Sequence, residues 1–384
     1  MKTTFKISQI PSMRFGYQVI REIGRSIRSV GAERVLLIID SEMKQMGLTR
    51  DVEEQITDMF NGSEIHVIRE SILSFSSIQR VLAETHPSRF DAIVGYGGWR
   101  CTDMCKVLSI ASKNTFNSEA VVSGRHQITE HGVPIISVPT TPPNGAEIDD
   151  SVLIRDDETR KIHVFSHPFM APRLTLIDPG LMVTIPADLT AATGLDALSH
   201  AIEALVSIDA SPFSEMYALQ GFALLKENLL SAFRHPENIK ARYNVALGSL
   251  YSALALNMTG SGAVHAMAYP LSARCGMSHP QATALMLPYV MRFNMPVVPM
   301  QFVRMARYLG KEVNGQESEA SKAVDALFDL YQQLDQPTNL RAFKVPRIEI
   351  DKLVDDVMDH DQFLARNPRI FDRDQIKSVY EAAM

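Results

Sequence analysis

Asp91-Ala92-Ile93-Val94-Gly95-Tyr96-Gly97-Gly98 decides how the first half of this chain folds. A short apolar run ends in glycines, and a helical pattern begins near Thr102-Asp103. A strand that feeds a helix through a glycine turn is the repeating unit of a parallel sheet covered by helices. Working outward, Arg34–Ile39, Glu64–Ile68 and Pro134–Val138 are similar β-branched-rich runs. Such runs read as strands buried on both faces. Helix-like stretches alternate with them at Tyr17–Val30, Thr49–Phe60, Ser76–Glu84 and Thr102–Ala111. Ser151–Ile154 and Arg173–Ile177 carry the strand pattern to about residue 178. From Pro186 the pattern changes: Ala187–Ile208, Pro212–Phe233, Ile239–Met258, Glu317–Gln333 and Ile348–Met358 place apolar residues at three- and four-residue spacing. The expectation is an α/β domain with a parallel sheet over residues 1–180 and an all-helical domain over 181–384, and the length of 384 residues suits two domains.

Composition narrows the function classes. Hydrophobic residues make up 46% and charged residues 21%, which excludes general disorder and collagen-like or mucin-like repeats. The formal net charge is −6 with no basic run, so a nucleic-acid partner is not expected. The opening MKTTFKISQIPSMRFG lacks an apolar signal core, and no stretch of about 18 apolar residues occurs, so no membrane span is expected. Three cysteines, at 101, 105 and 275, form neither a disulfide framework nor a zinc-finger spacing. These features fit a cytoplasmic protein.

Three places carry chemistry. The Gly97-Gly98 turn lets backbone amides approach a phosphate at a helix amino end. It is not the full dinucleotide fingerprint, because Arg100 stands at the sixth position of the glycine pattern. Asp40 follows a strand-like run, where a carboxylate can bind ribose hydroxyls and repel a 2′-phosphate. The same position equally suits a helix N-cap. Asp196 and His200, four apart on an apolar helical pattern, share one face and can bind one divalent ion. His265 and His279 would lie roughly 21 Å apart on one straight helix, so Pro270 and Gly276 between them are expected to turn the chain back. One Asp with three His would make a four-ligand site suited to Fe²⁺ or Zn²⁺.

Together these segments resemble the iron-containing (group III) alcohol dehydrogenases over nearly the whole chain. The shared features are Gly97-Gly98 with Asp103 and Lys106, Pro139-Thr140-Thr141 with Gly145 and Glu147, and Asp178-Pro179. The most specific are the run from Leu189 to Ala204, Gly262–Ala268, and Asn367-Pro368-Arg369. The resemblance implies an amino-terminal dinucleotide domain, a helical metal domain and a homodimer. It implies metal ligation by Asp196, His200, His265 and His279. It also implies NAD contacts at Asp40, Gly97, Gly98, Asp103, Thr140, Thr141 and Lys161, with NADP disfavoured by Asp40.

The chain departs from the family pattern in several places. Trp99-Arg100 stands where small residues are usual, Pro142-Pro143-Asn144 interrupts the threonine loop, and Tyr269 replaces a histidine four residues after the third ligand. Arg100 is expected to pair with the cofactor pyrophosphate or with an anionic substrate group, or else to stack on Trp99 at the surface. Tyr269 is a candidate proton relay or part of the pocket wall. The implied chemistry is hydride transfer between a nicotinamide and a small alcohol or aldehyde whose oxygen a divalent metal polarises. Two alternatives stand beside it: a cyclase resembling dehydroquinate synthase, and a non-catalytic metal-binding relative.

Overall fold

The computed structural model describes residues 4, 5 and 10–384. Contacts divide the chain into two units between Met182 and Val183. Phe5, whose ring meets Phe213 at 5.6 Å, groups with the second unit.

The first unit runs β1 (Ser12–Phe15), α1 (Ile23–Ser29), β2 (Val35–Asp40), α2 (Ser41–Gln45), α3 (Arg50–Met59), β3 (Glu64–Ile68), α4 (Phe75–Thr85), β4 (Ala92–Gly97), α5 (Trp99–Ala111), α6 (Ser118–Val122), β5 (Ile135–Pro139), β6 (Ser151–Arg155), β7 (Ile162–Ser166) and β8 (Leu174–Ile177). Six of these strands form one sheet in the order β1-β8-β5-β4-β2-β3, and every pairing is parallel. The continuous apolar runs have a physical reason. Leu36 and Ile38 of β2 enter the core beneath α4 and α5, while Val35, Leu37 and Ile39 enter the core beneath α1 and α3. Both faces are covered, so the strands are mostly apolar, and the polar residues Ser137 and Thr175 that they carry are buried with hydrogen-bond partners.

Ser151–Arg155 is a strand but not part of this sheet. It pairs antiparallel with β7 as a separate hairpin, and its alternating burial marks a half-covered ribbon. β1 and β7 escape sequence reading because each is short and mixes polar with apolar residues.

The second unit is helical throughout: α7 (Ala187–Val206), α8 (Pro212–Arg234), α9 (Ile239–Thr259), α10 (Ala263–Cys275), α11 (His279–Asn294), α12 (Pro299–Tyr308), α13 (Ser321–Gln333), α14 (Ile350–Met358), α15 (Asp361–Leu364) and α16 (Arg373–Ala382). α10 and α11 show no apolar stripe in the sequence because they are buried nearly all round, and each contains a proline. Pro270 lies inside α10 and does not turn the chain. The turn is made at Gly276, a left-handed C-cap with φ of 71°.

α8 and α9 approach closely at two glycines. A methyl group on Gly221 would lie 2.8 Å from the carbonyl oxygen of Gly248 and 2.5 Å from Ser252 Oγ. Backbone cannot yield as a side-chain tip can. Gly221→Ala is therefore expected to cost about 1–3 kcal/mol in urea unfolding through overpacking. Stability equal to that of the unaltered protein would show that the helices separate freely.

Candidate metal centre and dinucleotide turn

All seventeen residues of α7 from Thr190 to Val206 are buried, so any charge among them needs a partner. Asp196, His200 and Glu203 stand four and three residues apart on one face of this helix. Asp196, His265 and His279 each offer a ligand atom, all within 4.8 Å of one another and all buried. His200 lies outside that triad, with Nε2 3.6 Å from Asp196 Oδ1 and its ring stacked 5.0 Å from His265. Its Nδ1 is buried without a hydrogen-bond partner.

Glu203 was legible in the sequence as part of a motif but not as a working residue, and it proves central to the site. One carboxylate oxygen accepts from the Gly262 amide at 3.0 Å and the other from the Val264 amide at 2.6 Å. These are donors that the start of α10 would otherwise leave unsatisfied. Glu203 also bonds His265 Nδ1 at 2.6 Å, which leaves Nε2 of that ring for a cation. A methyl group on Gly262 would crowd the carboxylate at 2.9 Å. Thr283, one turn into α11, donates to Asp196 Oδ1 at 2.5 Å and so orients the second anion. The sequence signal for Glu203 was a charge in an apolar helix seven residues after Asp196. For Thr283 there was none.

Electrostatics favour a cation here. Burial pushes His200 down to about 3 and His279 down to about 4, so both rings are neutral and able to ligate. Burial alone would lower His265, but the Glu203 carboxylate raises it above its ordinary value. Burial alone would raise Glu203, but the His265 ring and the two amides hold it below the usual carboxylate range. The field that favours a proton on His265 equally favours a metal ion on it. The donor set, one buried carboxylate with buried imidazoles, fits Fe²⁺ or Zn²⁺. Tyr269 stacks on His279, with centroids 5.5 Å apart and planes 14° apart, and meets the rings of His360 and Phe363.

In the α/β unit, Gly97 closes β4 and Gly98 caps α5, which begins at Trp99 rather than near Thr102. A methyl group on Gly97 would collide with Cys101 and lie 3.1 Å from Asp40 Cβ. On Gly98 it would meet only Thr141 Oγ1, at 3.9 Å, so the outer side of the turn is open. No side chain caps the helix there. An open glycine turn at an uncapped helix start fits the phosphates of a dinucleotide. Thr140 donates its amide to the Gly97 carbonyl at 3.0 Å.

Asp40 is the N-cap of α2, accepting from the Glu42 amide at 3.0 Å, and its other oxygen pairs with Arg100 at 2.6 Å. Asp103 lies inside α5, accepting from the Leu153 amide at 3.1 Å beside Lys106. The fully buried Lys106 ammonium bonds Asp149 at 2.5 Å and the Ser151 carbonyl at 2.7 Å, tying α5 to β6. Lys161 sits immediately before β7, at the turn of the hairpin.

Two family models match this chain. The iron-containing alcohol dehydrogenase model covers residues 11–179, and the carboxyl-terminal model of the same family covers residues 190–384. The chain belongs to the iron-containing alcohol dehydrogenase family. It is 28% identical over 379 residues to long-chain-alcohol dehydrogenase 1 of Geobacillus thermodenitrificans, covering 97% of this chain and 95% of that one. It is 26% identical to the NAD-dependent methanol dehydrogenase of Bacillus methanolicus, covering 97% and 98%. The crystal structure of a 1,3-propanediol oxidoreductase superposes with a TM-score of 0.90 at 28% identity, covering 99% and 100%. These matches favour the dehydrogenase over the cyclase. Among the described residues, no helix is long and apolar enough to cross a membrane.

Two outcomes follow from this geometry. Glu203→Gln keeps the shape but removes the charge that sets His265. Metal retention against a chelator, read by elemental analysis, is expected to fall roughly 10- to 100-fold. Retention equal to that of the unaltered protein would make Glu203 only a helix cap. Glu147 is raised from 4.5 to about 7, mainly by burial. In that window the native state holds a proton that the unfolded chain has lost. Its contribution is complete below the window and is lost as pH rises through it. The Tm is expected to fall less between about pH 5 and 7 in Glu147→Gln than in the unaltered protein. Parallel Tm profiles would refute the assignment.

Proposed function

We propose that this protein is a metal-dependent, NAD(H)-linked oxidoreductase that interconverts a small alcohol with its aldehyde or ketone. The observation that carries this reading is the buried Asp196, His265 and His279 constellation, braced by Glu203 and Thr283. When bound, the divalent cation polarises the substrate oxygen, and the nicotinamide exchanges hydride with the carbon that bears it.

The chain's own residues supply order and charge. Asp196, held by Thr283, provides the negative charge that offsets a cation. His200 and His279 stay neutral because they are buried, and with His265 they would complete the ligand set. Glu203 fixes the ring orientation of His265 through Nδ1, so that Nε2 would be the atom offered to a cation. Tyr269, packed against His279 and His360, shapes the wall beside the ligands and offers a hydroxyl-bearing ring for moving a proton. In the other unit, the open side of Gly98 with Thr141 receives the cofactor phosphates, with Gly97, Thr140 and Asp103 supporting the turn. Asp40, at the carboxyl end of β2, takes the adenosine ribose of the cofactor. Lys161, on the hairpin turn, is assigned to the cofactor from the family resemblance.

Iron is the metal we assign first, and zinc suits the same donors. A cytoplasmic homodimer is the expected state, from composition and the resemblance. An anionic substrate draws no separate support from Arg100, which is tied to Asp40 and the Glu70 carbonyl at the dinucleotide turn.

The reading is tested by following NADH oxidation across a panel of aldehydes and ketones, with metal content measured on the same preparation. Asp196→Ala is expected to lose both tightly held metal and turnover while NADH affinity stays within about threefold, since the two functions lie on different units. Full metal occupancy in that variant would overturn the ligand assignment. Absence of turnover on every carbonyl tested, with metal bound, would favour the non-catalytic relative.

A further inference from the structure

The sheet order places β2 and β4 side by side, yet the chain leaves them in opposite directions. β2 is followed by β3 on its outer side, and β4 is followed by β5 on the other. In an open parallel sheet, ligands bind at such a switch point, outside the carboxyl ends of the strands. The two segments that flank it are Asp40, at the end of β2, and Gly97-Gly98-Trp99-Arg100, at the end of β4. β2 and β4 are in register there, with Ile39 opposite Tyr96.

At this point the chain builds an ion pair. Arg100 Nη2 donates to Asp40 Oδ2 at 2.6 Å, and Arg100 Nη1 donates to the Glu70 carbonyl at 2.8 Å. The carboxylate's other oxygen is taken by the Glu42 amide. The Asp40 side chain is 7% exposed and that of Arg100 18%, so the arginine is the member that reaches solvent.

A lone carboxylate in this position repels a 2′-phosphate, whereas an arginine beside it accommodates one. Here the two sit together, and their charges cancel. Two of the five N–H donors of Arg100 are engaged by Asp40 and Glu70, which hold the guanidinium in place and leave donors for an anion.

We propose that Arg100 supplies the counter-charge for the 2′-phosphate of NADP(H), with Asp40 serving as its anchor, so that this chain binds NADP(H) as well as NAD(H). The proposal rests on the dinucleotide reading given above and extends it. Arg100 is in this role a specificity-determining residue, and no step of hydride transfer depends on it.

The test is a binding measurement. NADH and NADPH are titrated into the full-length, metal-loaded protein, and their fluorescence is followed without carbonyl substrate. NADPH is expected to bind within about tenfold of NADH, and Arg100→Ala to lower the ratio of NADPH to NADH affinity roughly 10- to 150-fold, the range for a charge-assisted hydrogen bond. Arg100→Lys, which keeps the charge but not the fork, is expected to fall between the two.

A second measurement needs no variant. Adenosine 2′,5′-bisphosphate is expected to displace NADH at least as well as 5′-AMP does. The proposal is overturned if NADPH fails to bind where NADH saturates, if Arg100→Ala leaves the ratio unchanged, or if 5′-AMP displaces NADH and the bisphosphate does not. Failure of both dinucleotides to bind is a different result, and it removes the oxidoreductase reading itself.

Discussion

The helical unit depends on one buried carboxylate. Glu203 lies on α7 among residues that exclude water, where an unpaired charge would cost several kcal/mol. The fold meets that cost with two amides from the start of α10 and one imidazole. This fixes where α10 begins relative to α7, and so where His265 stands relative to Asp196. Thr283 does the same for α11, bonding Asp196 from one turn beyond His279. Three helices are thus registered by the partners of two anions. The apolar packing around them supplies stability but could tolerate small slides that these hydrogen bonds do not.

The α/β unit handles buried charge in its own way. Lys106, with no exposed surface, is matched by Asp149 and Asp103, and this network ties α5 to the β6–β7 hairpin. Glu147, also buried, has backbone amides against its carboxyl oxygens, Gly145 among them, and burial outweighs them and raises its pKa to about 7. These groups stand on the segments that follow β4 and β5 and join α5 to the chain after β5.

What the sequence discloses depends on how each residue meets its partners. The strands β2, β4, β5 and β8 are legible because burial on both faces favours apolar, β-branched runs, which Ser137 and Thr175 interrupt only singly. α7, α8 and α9 are legible because helical spacing persists over twenty residues or more. α10 and α11 are not, since they are shorter, at 13 and 16 residues, and their prolines read as breaks. In the site, Asp196 and His200 can be paired from spacing alone because one helix carries both. The approach of His279 depends on the left-handed turn at Gly276, which a sequence shows only as a glycine. Asp40 had two readings, ribose acceptor and N-cap. The capping geometry is present, and Arg100, sixty residues on, is a partner that no local pattern could announce.

The two sites differ in how much freedom their residues keep, and that difference bears on what can vary within one fold. Asp196 and His265 are buried donors held by second partners, Thr283 and Glu203, so a change at either disturbs helix registration along with ligation. Asp40 and Arg100 form a pair at the rim, joined to the sheet by a helix cap and one carbonyl. Their exchange for other residues alters charge at the switch point while leaving the strands and their cores untouched. Selectivity for the dinucleotide can therefore shift with few substitutions, whereas the metal chemistry is held by the same contacts that hold the helices.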